Sequence, residues 1–132
     1  MDKSTRILLG ILLLCLIHSF AFTQDKKQKP RIKFDRYRMS IADKQSITFR
    51  GDTIYAKFEY HNETPQSPLE VISVKPSCVC TGFKLNEPEK QGDKGSIVLV
   101  FTRASIEQFE IIEAIVKSNA INDYELLEVV LE

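Results

Sequence analysis

Between Asp52 and Asn62 the chain reads DTIYAKFEYHN, which places Ile54, Ala56, Phe58 and Tyr60 on one side and Thr53, Lys57, Glu59 and His61 on the other, with Tyr55 among the latter. A period of two with one wet face predicts an antiparallel strand. The same texture returns along the chain. Leu69 to Lys75 predicts an extended run ending at Pro76, Ser96 to Thr102 (SIVLVFT) a central strand rich in β-branched residues, and Tyr124 to Leu131 a closing strand. Gly82, Pro88, Gly92 and Gly95 break up the region between the second and third runs, which predicts a long loop with at most one short strand.

One segment carries two periods. Ile106, Phe109, Ile112 and Ile115 recur at helical spacing and admit a helix over Ser105 to Lys117. The β-branched Ile111, Ile112, Ile115 and Val116, with Ile112, Ala114 and Val116 alternating, favour a strand over Phe109 to Lys117, followed by a hairpin turn at Asn119 to Asp123. Short strands separated by turn signals every ten residues or so predict an all-β fold, an antiparallel β-sandwich of the immunoglobulin-like kind with about seven strands.

The first 23 residues follow a different rule. Lys3 and Arg6 lead into an apolar run of eleven residues, Ile7 to Ile17, and small residues follow before the charge at Asp25. That order predicts a secretory signal peptide, cleaved after Ala21 or Thr23. Even from Ile7 to Phe22 the segment is shorter than the roughly 20 residues a helix needs to span a bilayer. Cys15 follows Leu14 where a lipidated cysteine wants a small residue before it, so the expectation is that Cys15 leaves with the signal. Residues 24–38 then form a basic leader with room for a first strand, and 39–132 the sandwich domain.

Without residues 1–23 the chain has sixteen basic and seventeen acidic side chains, a formal charge of −1. No global excess points to nucleic acid. The charge is uneven: residues 25–38 hold seven Lys or Arg against two Asp, and 107–132 hold seven Asp or Glu against Lys117 alone. A solvated leader and outward-facing acidic strand positions account for this; an electrostatic tether to the envelope or to a partner is the sharper reading.

The chemistry-bearing stretch is Pro76-Ser77-Cys78-Val79-Cys80-Thr81. Residues two apart in extended chain have Cα atoms about 6.6 Å apart, at the upper edge of what a disulfide spans. Cys78 and Cys80 are therefore candidates for a disulfide or redox pair if the backbone kinks between them. As metal ligands they supply half a tetrahedral site, to be completed by a carboxylate, by a second chain or by both. The pattern lacks the spacing and the histidine of a haem attachment. His61 is the one histidine beyond residue 23 and the candidate base for a cysteine nucleophile, without a third orienting residue. Asn62-Glu63-Thr64 fits a glycosylation sequon, but turn chemistry is the simpler reading. No catalytic residue, cofactor or phosphate loop is expected.

Taken in order, Gly51-Asp52-Thr53, Phe58 to Asn62, Pro68-Leu69-Glu70-Val71, Ser77-Cys78-Val79-Cys80-Thr81, Gly92, Gly95-Ser96-Ile97 and Val116 to Asn119 resemble the bacterial domain of unknown function 1573 family. The resemblance covers roughly Met39 to Leu131 and implies an export signal with a sandwich similar to hydin and major sperm protein relatives. It implies no agreed activity, and related sandwiches serve as adaptors or scaffolds. Three positions depart from the family pattern: Val79 where Gly is usual, Gln91 before Gly92 where Pro is usual, and Glu128 where Gly commonly interrupts the last strand. The resulting expectation is an exported protein-binding or assembly module of the cell envelope, not an enzyme, with an unknown protein partner, no nucleic acid and no membrane span once the signal is removed. The alternative is a thiol-dependent redox or metal-handling role at Cys78-Val79-Cys80.

Overall fold

The computed structural model describes residues 3–7, 10–11 and 28–132. Most of the expected signal peptide, including Cys15 and both cleavage positions, lies outside the described residues, as does the start of the leader. Residues 3–7 and 10–11 are helical, and no described helix is long and apolar enough to cross a membrane.

Nine strands among the described residues form two stacked sheets. They are β1 (Ile32–Phe34), β2 (Arg38–Ser40), β3 (Ile47–Arg50), β4 (Thr53–Asn62), β5 (Val71–Pro76), β6 (Gly82–Asn86), β7 (Gly95–Thr102), β8 (Ile111–Ser118) and β9 (Tyr124–Val130). One sheet has the order β1-β4-β7-β6, with β3 also paired to β4; the other runs β2-β9-β8-β5. The ten-residue β4 is shared along one side, its first four residues by β3 and its last three by β1.

The core follows from the alternation. Ile54, Ala56, Phe58 and Tyr60 of β4 and Ile97, Leu99 and Phe101 of β7 face inward from one sheet. Ile112, Ala114 and Val116 of β8 meet them from the other, with Leu127 and Val129 of β9. Every inward position predicted on the Asp52 to Asn62 run is buried.

Three details differ from the sequence reading. The double-period segment divides: Arg103–Gln108 is a short helix, α1, and the strand begins at Ile111 rather than Phe109. Ile106 thus belongs to a helical turn partly packed on the core, and the alternation takes over only afterwards. The strands number nine because β1, β2 and β3 have only three or four residues each, too few for a period of two to register. Finally, β2 pairs parallel to β9, so the sandwich is not wholly antiparallel. The chain crosses from β1 to the other sheet at residues 35–37 and lands beside the last strand without a hairpin reversal. Parallel neighbours need a long connection, and residues 41–123 separate β2 from β9.

The basic segment before β3 is partly consumed by this docking. Lys33 pairs with Glu63 at 3.7 Å, Arg36 with Asp43, and Arg38 with Glu128 at 3.7 Å. Glu128, where the family pattern has Gly, thereby helps seat β2.

Candidate functional site

Most of the residues that carry the family resemblance have structural duties. Gly51 and Asp52 make the two-residue turn between β3 and β4, and Gly51 has φ +58°, which favours glycine at such a turn. Asn62 Oδ1 accepts from the Thr64 amide at 3.0 Å, and its Nδ2 donates to the Ser67 carbonyl at 2.6 Å. The sequon asparagine is therefore engaged in turn chemistry. Asn119 Oδ1 accepts from the Glu70 amide at 2.8 Å and its Nδ2 donates to the Pro68 carbonyl at 3.0 Å, tying the β4–β5 connection to the β8–β9 turn. Gly92 has φ +94°.

Beside the Asn62 turn lies a cleft of about 190 Å³ lined by Tyr60, Asn62, Pro68, Leu69, Pro88 and the 90–93 loop. Burial, with the Glu87 carboxylate adding to it, pushes the Tyr60 phenol up to about 12. Besides Tyr60 and Asn62, the cleft's polar lining is Lys90, Gln91 and Asp93.

The remaining motif element stands apart from this structural set. Cys78 and Cys80 are joined by a disulfide with Cα atoms 5.1 Å apart, shorter than an extended strand would allow. The kink is a turn in which the Thr81 amide donates to the Cys78 carbonyl at 3.1 Å. Val79, in place of the usual Gly, adopts it without positive φ and lies fully exposed at the tip. Cys80 is exposed, Cys78 half-buried and Thr81 buried. The Cys80 amide donates to Cys78 Sγ at 3.2 Å.

Topology explains the exposure. β5 is an edge of one sheet and β6 an edge of the other, so the Ser77–Thr81 loop crosses between sheets on the open side of the sandwich. β6 itself is flanked only by β7, and four of its five residues are exposed, including Phe83. The cysteines are visible in the sequence, but this edge is not. Five residues, GFKLN, with one buried neighbour carry almost no periodic signal.

His61, the candidate base, stands far from the cysteine loop. Gly82, just after the cysteine loop, aligns through Val100 with Tyr55, whereas His61 lies six residues further along β4, about 20 Å away at strand rise. It is not a base for these thiols. Its Nδ1 is buried without a hydrogen-bond partner among the described residues, 4.0 Å from Asp35 Oδ1. Lys94 holds the other Asp35 oxygen at 2.6 Å, and that contact raises the lysine above its ordinary value. The described residues gather no group of three or more His, Cys, Asp or Glu that would hold a metal, and the bonded sulfurs of Cys78 and Cys80 offer no thiolate to one.

No curated protein and no solved structure matches the chain. Residues 32–131 match the family described as Protein of unknown function (DUF1573). That span takes in all nine strands, the cleft and the disulfide loop, and the chain belongs to the DUF1573 family.

Proposed function

We propose that the chain is an exported protein-binding module of the bacterial cell envelope, and that partners dock on the rim formed by β6 and the Cys78–Cys80 loop. Export is supported by the basic, apolar, small-residue order of the first 23 residues. Docking is supported by one observation above all: β6 is the least guarded edge among the described strands. β5 is interrupted by a bulge at Ile72 and ends in Pro76, and β1, β2 and β3 have only three or four residues each. β6 has neither bulge nor proline, and its lysine, Lys84, turns onto the Tyr55 ring at 5.3 Å instead of blunting the edge. An extended partner segment adds its backbone here, with Phe83 and Val79 as apolar contacts.

The test is cross-linking in envelope extract with the wild-type chain and with Val79→Asp and Phe83→Ser as bait. A partner captured by the wild type and lost from both variants supports the reading. Equal capture by all three ends it. Mass measurement of the product recovered from the envelope tests export separately, through loss of residues 1–21 or 1–23.

A second reading, thiol–disulfide exchange, is favoured by the accessibility of Cys80 and by the amide aimed at Cys78 Sγ. A partner thiolate attacks Cys80 Sγ, the disulfide breaks, and Cys78 leaves as a thiolate accepting from the Cys80 amide. A second thiolate of the partner then attacks the partner's own sulfur in the mixed disulfide and releases Cys80. Two electrons pass from the partner dithiol to the module. Cys78→Ser incubated with oxidised glutathione should accumulate the mixed disulfide at Cys80, formed as the Cys80 thiolate attacks and one glutathione thiolate leaves, because Cys78 is no longer there to resolve it; a wild-type loop that stays oxidised in glutathione buffers rules the reading out.

A further inference from the structure

We infer that a second copy of this chain packs on the outer face of the β2-β9-β8-β5 sheet, and that the interface is centred on the cross-strand pair Ile115 and Leu126. This surface is distinct from the β6 rim and does not rest on the proposed function.

The outward positions of this sheet fall into rows about 6.6 Å apart along the strands. In the middle row Lys75, Ile115 and Leu126 lie side by side on β5, β8 and β9. Ile115 is 49% exposed and Leu126 43%. The next row towards the β8–β9 turn pairs Lys117 with Tyr124, the ammonium 5.7 Å from the ring centroid and Tyr124 58% exposed. In the row on the other side Glu113 stands directly opposite Glu128.

That carboxylate pair is the unexplained feature. Like charges directly opposite across an antiparallel ladder destabilise it. Glu128 has Arg38 at 3.7 Å, while Glu113 has no ion-pair partner among the described residues. A single sheet thus carries, along β8, a carboxylate, an exposed isoleucine and a cation in that order.

This order is self-complementary. A two-fold axis running across the strands through the middle row lays β8 on β8 of the second copy in opposite directions. Ile115 and Leu126 meet their own counterparts, and each Lys117 row faces the other copy's Glu113 and Glu128 row. The same patch is used twice, as closed two-fold symmetry requires. The paired carboxylates gain a cation, and the apolar row leaves water. Lys75, at the rim of the middle row, is long enough to keep its ammonium in solvent.

The mass of the purified full chain, by sedimentation and light scattering, tests this, with circular dichroism to confirm that each variant keeps its strands. The wild type is expected at twice the chain mass, dissociating as salt rises. Ile115→Glu should give single chains. Lys117→Glu, a surface change with little effect on folding, should weaken association by about tenfold or more. Lys117→Glu with Glu113→Lys reverses the order of charge and should restore it. A wild type that remains single at millimolar concentration, as it would if another segment of the chain covered this face, overturns the inference. So does a dimer indifferent to both single substitutions, or one that the double reversal fails to rescue.

Discussion

Gly95 lies beneath the ring of Tyr60, its direct cross-strand partner on β4. A methyl group built on Gly95 would sit 2.9 Å from Cε1 of that ring and closer still to Cζ and Oη. Tyr60 is buried, so its ring has little room to give. Gly95→Ala should therefore lower stability by about 1–3 kcal/mol, the usual range for overpacking, read as a shift in the urea midpoint. In a Tyr60→Val background the same Gly95→Ala change should cost less, since the two positions share one space.

The same ring gives the fold an alkaline limit. Its phenol titrates at about 12 in the folded chain against an ordinary value of 10.0. Between those values the unfolded chain has released the proton that the folded chain still holds, so stability falls as pH rises through this window and is unaffected by this group below it. Ultraviolet titration should show one of the four tyrosines ionising near pH 12, with the urea midpoint falling from pH 10 upward. A folded chain whose tyrosines all ionise near 10 would contradict the burial of Tyr60.

Asn119 holds the β4–β5 connection by hydrogen bonds to Glu70 and Pro68. Asn119→Ala should cost about 1–3 kcal/mol for the two lost bonds and speed amide exchange in residues 68–70. Asn119→Asp retains the acceptor and should cost less. Exchange in 68–70 that is unchanged in the alanine variant would mean that the clamp does not hold the loop.

The disulfide closes a three-residue loop, so its effect on the unfolded chain is small, about 1.5 kcal/mol by loop entropy. Cys80→Ser should fold normally with a midpoint only slightly lower. Digestion of the wild type should yield a Cys78–Cys80 peptide lighter by two hydrogens than the reduced form. A collapse of the fold in Cys80→Ser would show that the loop organises the sandwich.

Much of this was legible in the residues. Of the long strands, β4 and β8 were readable from their alternation and β7 and β9 from runs of β-branched and other apolar residues, and the turns because Gly51, Asn62 and Asn119 have side-chain or backbone preferences that act over a few residues. Cys78 and Cys80 were legible as a pair but not as a bond, because closing it depends on a backbone kink at Val79. The distance of His61 from the cysteines was not legible, because it depends on the register of three strands, none of which is local. The β6 edge was missed because being an edge is a relation to absent neighbours.

By itself, the order of residues determined that apolar side chains gather on one face of each long strand and that the chain must stack two sheets to bury them. The physical basis is local: the pleat sends successive side chains to opposite faces wherever extended chain persists. Only the tertiary structure decided that β2 runs parallel beside β9, that the disulfide loop bridges two edges, and that Lys117, Ile115 and Glu113 share a face with Leu126 and Glu128. Those relations arise from pairing segments far apart in sequence, where each choice of neighbour constrains the rest and no short window contains the choice.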